Sequence, residues 1–129
     1  MSPDDRKYTQ EHEWVKVENA ERGQALVGIT DYAQDQLGDV VYLEMPQASS
    51  SVTQQSKMGE VESVKAVSDL FSPVSGQVLE VNTDLLDHPE LVNEEPFERG
   101  WLIRVTMSST AELDSLMSAA EYESFISGL

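Results

Sequence analysis

Val61-Glu62-Ser63-Val64-Lys65-Ala66-Val67-Ser68-Asp69 reads as two strands meeting at a tight bend. Apolar residues recur on both sides of it. Lys57–Val64 and Ala66–Ser72 therefore form the arms of a hairpin that turns around Ser63–Ala66. Lys65 then occupies the tip, where a central residue projects into solvent. It is one of only four lysines, with Lys7, Lys16 and Lys57. A solvated lysine is an ordinary occupant of such a turn, so the local pattern alone leaves its role open.

Outward from this hairpin the hydrophobic period is mostly two. His12–Glu18 and Gln24–Ile29 form an earlier hairpin with Glu21-Arg22-Gly23 at its bend. Thr30 or Asp31 caps a short helix over Tyr32–Leu37, which Gly38 ends. Val40–Met45 is a strand stopped by Pro46, and Gln47–Ser51 is a polar loop. After the lysine, Ser72-Pro73-Val74-Ser75-Gly76 is a strong turn signal, followed by a strand over Gln77–Asn82. Asp84–Pro96, acidic and holding two prolines, reads as loop or brief helix. Trp101, Ile103 and Val105 alternate with Leu102, Arg104 and Thr106 in a last strand. Beyond it Leu113, Leu116, Met117, Ala120 and Phe125 recur at helical spacing, which predicts a C-terminal helix capped by Ser109 or Thr110. The expected fold is mainly β, with a short internal helix and a C-terminal helix, in one domain over residues 1–129.

Composition narrows the function classes. The chain has 129 residues, 8 Lys+Arg against 24 Asp+Glu, and a formal net charge of −16. Such a surface opposes phosphate-backbone binding, which depends on Lys and Arg displacing counterions, so no nucleic-acid partner is expected. Adsorption to anionic membranes is disfavoured for the same reason, and no apolar run approaches the roughly 18 residues of a membrane span. The acids are spread evenly: residues 1–64 hold 12 acids and 5 bases, residues 65–129 hold 12 and 3. With 40% hydrophobic residues this is the composition of a folded domain, not of an acidic tail. The start, Met1-Ser2-Pro3-Asp4-Asp5, has the character of neither a signal nor a transit peptide, which makes a bacterial cytoplasmic location the expectation.

There is little sign of catalytic machinery. The chain has no cysteine, hence no disulfide, thiolate nucleophile or Cys-type metal site. His12 and His88 are far apart and read as surface histidines, so no metal is expected. The glycines are scattered, without a phosphate-binding loop, and no Gly-x-Ser-x-Gly elbow is present. Carboxylate pairs are numerous enough to arise by chance.

Glu62-Ser63-Val64-Lys65-Ala66 resembles the lipoylation site of the glycine cleavage H-protein family. The resemblance is colinear over nearly the whole chain. It includes His12-Glu13-Trp14-Val15, Gly28-Ile29-Thr30-Asp31-Tyr32-Ala33-Gln34, Leu37-Gly38-Asp39, Ser72-Pro73-Val74-Ser75-Gly76, Glu80-Val81-Asn82, Gly100-Trp101-Leu102 and the closing Glu112-Leu113-Asp114 with Leu116-Met117 and Glu121-Tyr122. Three departures stand out. Thr53-Gln54-Gln55-Ser56-Lys57 lacks glycines that many members carry, Gln36 stands where some have histidine, and Glu11 where some have serine.

The resemblance implies a lipoyl-domain-like barrel-sandwich hybrid and a carrier, not an enzyme. Lys65 would hold lipoate as an amide, which removes one cation and takes the formal charge to −17. The arm would shuttle the aminomethyl intermediate of glycine from a pyridoxal-phosphate glycine decarboxylase to a tetrahydrofolate-dependent aminomethyltransferase. A dihydrolipoyl dehydrogenase would then reoxidise it, and lipoate-attaching enzymes are implied as further partners of a monomer. Also by resemblance, Glu13 and Asp69, with Glu11 as a third, are candidate contacts that keep the loaded amine protonated. Other carriers fit less well. A biotin carrier would show Met-Lys-Met, and a lipoyl domain of an oxo-acid dehydrogenase shows Asp-Lys-Ala and lacks the terminal helices. An H-like relay handing lipoyl or octanoyl groups to other proteins would need the same lysine.

Overall fold

The structure, a computed structural model, describes residues 2–129. In chain order the elements are β1 (Lys7–Tyr8), β2 (Glu13–Asn19), β3 (Gln24–Ile29), α1 (Asp31–Leu37), β4 (Val40–Glu44), β5 (Ser51–Val52), β6 (Lys57–Ser63), β7 (Val67–Phe71), β8 (Gly76–Val81), α2 (Asp84–Asp87), α3 (Leu91–Glu94), β9 (Ile103–Met107), a 3₁₀ turn (Thr110–Ser115) and α4 (Ala119–Ser127). The strands form a six-stranded sheet, β1-β2-β3-β9-β8-β5, and a three-stranded sheet, β4-β6-β7, and all pairings are antiparallel. Neither sheet closes into a barrel. The mainly-β expectation holds, as does the short internal helix.

One hydrophobic cluster joins the sheets. Ala25, Val27, Val78, Ile103 and Val105 from the large sheet meet Leu43, Val61 and Leu70 from the small one, all buried. Each buried Val, Leu or Ile contributes about 1.5–3 kcal/mol relative to exposure, which is why the alternating pattern determines which faces meet. A second cluster covers the other face of the large sheet, where Tyr8, Trp14 and Tyr122 are enclosed by Leu26, Phe97, Trp101, Met117, Phe125 and Ile126. Trp14 lies over Gly28, where a β-carbon would come within 2.5 Å of the indole. Its Nε1–H donates to the carbonyls of Ile29 (2.9 Å) and Pro96 (3.0 Å). The buried Arg6 guanidinium covers the same ring at 4.7 Å and donates to the Phe97 carbonyl.

The C-terminal region departs from the sequence reading. A single helix capped at Ser109 or Thr110 is replaced by the 3₁₀ turn and a separate α4. Between them Met117 exchanges backbone hydrogen bonds with Tyr8, at 2.9 Å in both directions, which forces the chain into an extended conformation. Helix then restarts at Ser118, whose side chain accepts from Glu121 N while the Glu121 carboxylate accepts from Ser118 N. Such a capping box contributes about 1 kcal/mol. The helical spacing thus spans two elements: Leu113 and Leu116 enter the first cluster, Met117 and Phe125 the second, and Ala120 is exposed.

Other differences are small. Ser51, expected in a loop, pairs with Gln77 to start β5, and β1 has no period-two signal because it is only two residues long. Asp84–Pro96 contains two single-turn helices. The glycine-free loop before β6 resolves its turn by placing Gln55 at φ +68°, with its N–H on the Ser72 carbonyl at 2.8 Å. A side chain in that conformation costs about 1 kcal/mol, and glycine does not. Gln55→Gly is therefore expected to raise unfolding stability by about 0.5–1 kcal/mol, seen as a higher denaturation midpoint with unchanged slope; a lower midpoint would contradict this account of the turn.

Candidate functional site

Lys65 stands at the tip of the β6–β7 hairpin, as its sequence context predicts. The turn is built by Ser63, which is nearly buried: its N–H donates to the Ala66 carbonyl (2.8 Å) and its Oγ accepts from the N–H groups of Lys65 (3.3 Å) and Ala66 (3.1 Å). One small side chain thus satisfies the backbone donors that a two-residue tip leaves free. The tip is also tied to the neighbouring element, since Val64 N donates to the Asp39 carbonyl at 3.0 Å. The Lys65 stem passes over Gly38, the φ +81° residue that ends α1; a β-carbon there would sit 3.4 Å from Lys65 Cε.

Asn93, in the acidic segment between β8 and β9, holds that junction from below. Its Nδ2 donates to the Gly38 carbonyl and to Gln34 Oε1, each at 2.9 Å, and its Oδ1 accepts from Val40 N at 2.8 Å. One amide therefore closes the end of α1 and opens β4, on either side of the carbonyl that receives Val64. Asn93 was not legible as a site residue: its partners lie more than 50 positions away, and such bonds leave no periodic trace.

A cleft of about 280 Å³ runs beside the hairpin. Its walls are Ala33, Gln36 and Leu37 of α1 and Val61, Ala66, Ser68 and Leu70 of β6–β7, with Glu11, His12, Glu13 and Ile29 completing it. Three residues singled out from sequence, Glu11, Glu13 and Asp69, all border this one cavity, and Ala66, next to Lys65, borders it too. Their environments differ sharply.

Glu13 is 2% exposed. Its carboxylate accepts from Thr9 Oγ1 (3.0 Å) and, less closely, from Phe71 N (3.3 Å), while Thr9 Oγ1 also accepts from Glu13 N. No cation among the described residues pairs with it. Burial pushes its pKa up to about 8, against the pull of the Phe71 and Thr9 donors and with a small like-charge push from Glu11. Asp69, by contrast, is half-exposed, and its carboxylate lies 3.3 Å from Lys57 Nζ, which also binds Glu60 at 2.8 Å. Glu11 is exposed on the rim.

His12 is not the surface residue its sequence position suggests. It is half-buried at φ +71°, with Nδ1 2.8 Å from Tyr122 Oη and its ring 4.7 Å from that of Tyr32. Burial lowers its pKa, favouring the neutral ring. Tyr122 Oη also meets Thr30 Oγ1 at 2.7 Å, so α4 braces both the start of β2 and the cap of α1. His88 is exposed beside Glu90.

Comparison with known proteins agrees with this geometry. The family model described as Glycine cleavage H-protein matches residues 6–128. The glycine cleavage system H protein of Symbiobacterium thermophilum is 50% identical over 123 residues, covering 95% of this chain and 94% of the relative. That of Brevibacillus brevis is 49% identical over 124 residues, 96% of each. The crystal structure of a glycine cleavage system H protein from Mycobacterium marinum matches with a TM-score of 0.89 at 39% identity, over 99% of this chain and 100% of that one. The lipoyl-domain-like expectation for the fold holds.

The Glu13 environment has a measurable consequence. Its pKa is about 8 folded against a reference of 4.5, so the folded state binds the extra proton between those values. The associated stability is fully present below pH 4.5 and is lost as pH rises through about 8. Glu13→Gln removes this titration. The variant's stability relative to the parent is expected to improve by about 1–4 kcal/mol from pH 4.5 to 8 in parallel denaturant titrations. A pH-independent difference would mean that Glu13 titrates normally.

Proposed function

The chain belongs to the glycine cleavage H-protein family, and from that premise we propose that it is the non-catalytic carrier of that system, with lipoate joined to Lys65 and the aminomethyl unit of glycine as its cargo. The observation that carries this reading is the pairing of an exposed lysine on a rigid tip with a cleft whose buried carboxylate has hydrogen-bond donors but no cation. When attached, lipoate supplies the redox-active sulfur pair that a chain without cysteine lacks.

The residues present fit such an arm. Lysine contributes a four-carbon stem and a primary amine that forms an amide. Stem and lipoyl chain together reach about 14 Å from the backbone, counted at roughly 1.2–1.3 Å of advance per bond. Ala66, the residue after Lys65, and Glu13 border the same cleft, so an arm folded into it runs toward the Glu13 carboxyl. Ile29, Leu37 and Val61 give the cleft apolar walls against which the methylenes of the arm can pack.

Glu13 is the residue that answers an ammonium cargo. In the free protein its carboxyl is mostly protonated at neutral pH. A cation in hydrogen-bond contact favours the ionised form, so the carboxyl proton passes to solvent and a charge-assisted pair forms. Held protonated, the amine has no lone pair with which to expel the sulfur, and the cargo persists between enzymes. Asp69 is exposed and already paired with Lys57, so it is the secondary carboxylate; Glu11 adds negative potential at the rim. The partners are the pyridoxal-phosphate glycine decarboxylase, the tetrahydrofolate-dependent aminomethyltransferase, dihydrolipoyl dehydrogenase and the enzymes that attach lipoate, met by a single-domain monomer in a bacterial cytoplasm.

Intact-mass measurement on protein from its native host tests the attachment: a lipoyl increment is expected, and it disappears in Lys65→Ala. A bare-sequence mass would sink the carrier reading. Glu13→Gln, alone and with Asp69→Asn, is expected to shorten the hydrolytic lifetime of the loaded protein about 10-fold or more, most of it from the single change. An unchanged lifetime would remove Glu13 from this role.

A further inference from the structure

Three of the five most exposed large apolar side chains lie on the small sheet or at its tip. Val64 is 70% exposed, Val67 59% and Tyr42 56%, and all three lie on the small sheet or its tip. The register aligns Tyr42 of β4, Glu62 of β6 and Val67 of β7 in one row across the sheet. At the usual strand spacing that row is about 10 Å wide, and it ends beside Lys65. Beyond β4 the apolar surface continues into a groove of about 240 Å³ shared by Tyr42, Met45, Pro46, Val81 and Leu86. On the large sheet, exposed Val17 and Leu79 are single residues of the kind any surface carries.

The charges around this row are of one sign. The next row is Glu44, Glu60 and Asp69, and Asp39 flanks the tip. Lys57 is bound to Glu60 and Asp69, which leaves Asp39, Glu44 and Glu62 exposed with no ion-pair partner among the described residues. Tyr42 and Val67, set on either side of Glu62 within an acidic field, attract an apolar contact that also carries lysine and arginine, and repel anionic polymers, anionic membranes and a second copy of this face.

We propose that the outer face of β4–β6–β7, anchored on Tyr42 and extending through Val67 to Val64, is the surface on which an enzyme with an apolar patch and a basic rim docks while Lys65 enters its active site. The proposal rests on the carrier reading. An enzyme that takes up the arm must cover the tip, and exposed Val64 and Val67 flank Lys65 in the chain while Tyr42 shares the Val67 row. Tyr42 suits an anchor: its ring offers large contact area with few rotatable bonds, and it is already partly dehydrated against the groove. The acidic field speeds encounter and, being screened by salt, lets the carrier leave.

The test uses intact lipoylated protein, its loading confirmed by mass. Tyr42→Ser, Val67→Ser, Glu44→Gln with Glu62→Gln, and the large-sheet control Leu79→Ser are each offered as variable substrate to the decarboxylase and to dihydrolipoyl dehydrogenase. Tyr42→Ser is expected to raise KM about 10-fold with kcat within about two-fold for at least one enzyme, and Val67→Ser to raise it less. The double glutamine variant is expected to flatten the rise of KM with salt, and Leu79→Ser to change nothing. Unchanged KM in Tyr42→Ser with both enzymes would overturn the proposal, as would an equal effect of Leu79→Ser or a dimer formed through this face in sedimentation. Lipoylated parent protein that supports no turnover would overturn the carrier reading instead, an outcome distinct from any change among the variants.

Discussion

The hydrogen bond from Val64 N to the Asp39 carbonyl ties the hairpin tip to the end of α1, and the site depends on that tie. A flexible arm delivers its end group predictably only if its root does not move. Ser63 makes the turn rigid from within, and Asn93 holds Gly38 and Val40 on either side of the accepting carbonyl. The same tie keeps α1 at the side of β6–β7, and the space left between them is the cleft. Hairpin tip and cleft are therefore produced by one packing arrangement.

The second constraint is electrostatic. Burying Glu13 without a cation costs free energy, and the chain reduces that cost by keeping it protonated near neutral pH while retaining donors from Thr9 and Phe71 that suit the anion. A carboxyl held this way has its hydrogen bonds but no counter-charge, so a cation brought into contact with it would favour the ionised form. Outside the cleft the arrangement is reversed: carboxylates are exposed and numerous, and the formal charge of −16 acts at long range. Inside, a single desolvated carboxyl acts at contact. The abundance of acids in the sequence hid this distinction, because every glutamate carries the same letter whatever its solvation.

How much was legible can be judged from particular residues. The β6–β7 hairpin, its lysine tip, the Thr30 cap and the Gly38 stop were all visible, because each depends on neighbours within a few positions. The C-terminal helix was misread because its apolar spacing runs across a break that a distant strand imposes: Met117 pairs with Tyr8. His12 looked like a surface residue because nothing near it in the chain indicates that Tyr122, 110 residues later, will meet its ring.

By itself the sequence determined the fold class, the place of Lys65 at a hairpin tip and the absence of cysteine, all of which follow from local pattern, composition and colinear motifs. Only the tertiary structure decided which carboxylates matter in different ways. Glu13 and Asp69 are similar in sequence, yet one is sealed between β2 and β7 without a cation and the other is paired with Lys57 in solvent. It also decided that Tyr42, more than 20 positions from Lys65, shares its surface. The reason is physical: desolvation and adjacency arise from which strands pair and which faces meet, and those are properties of the packed chain.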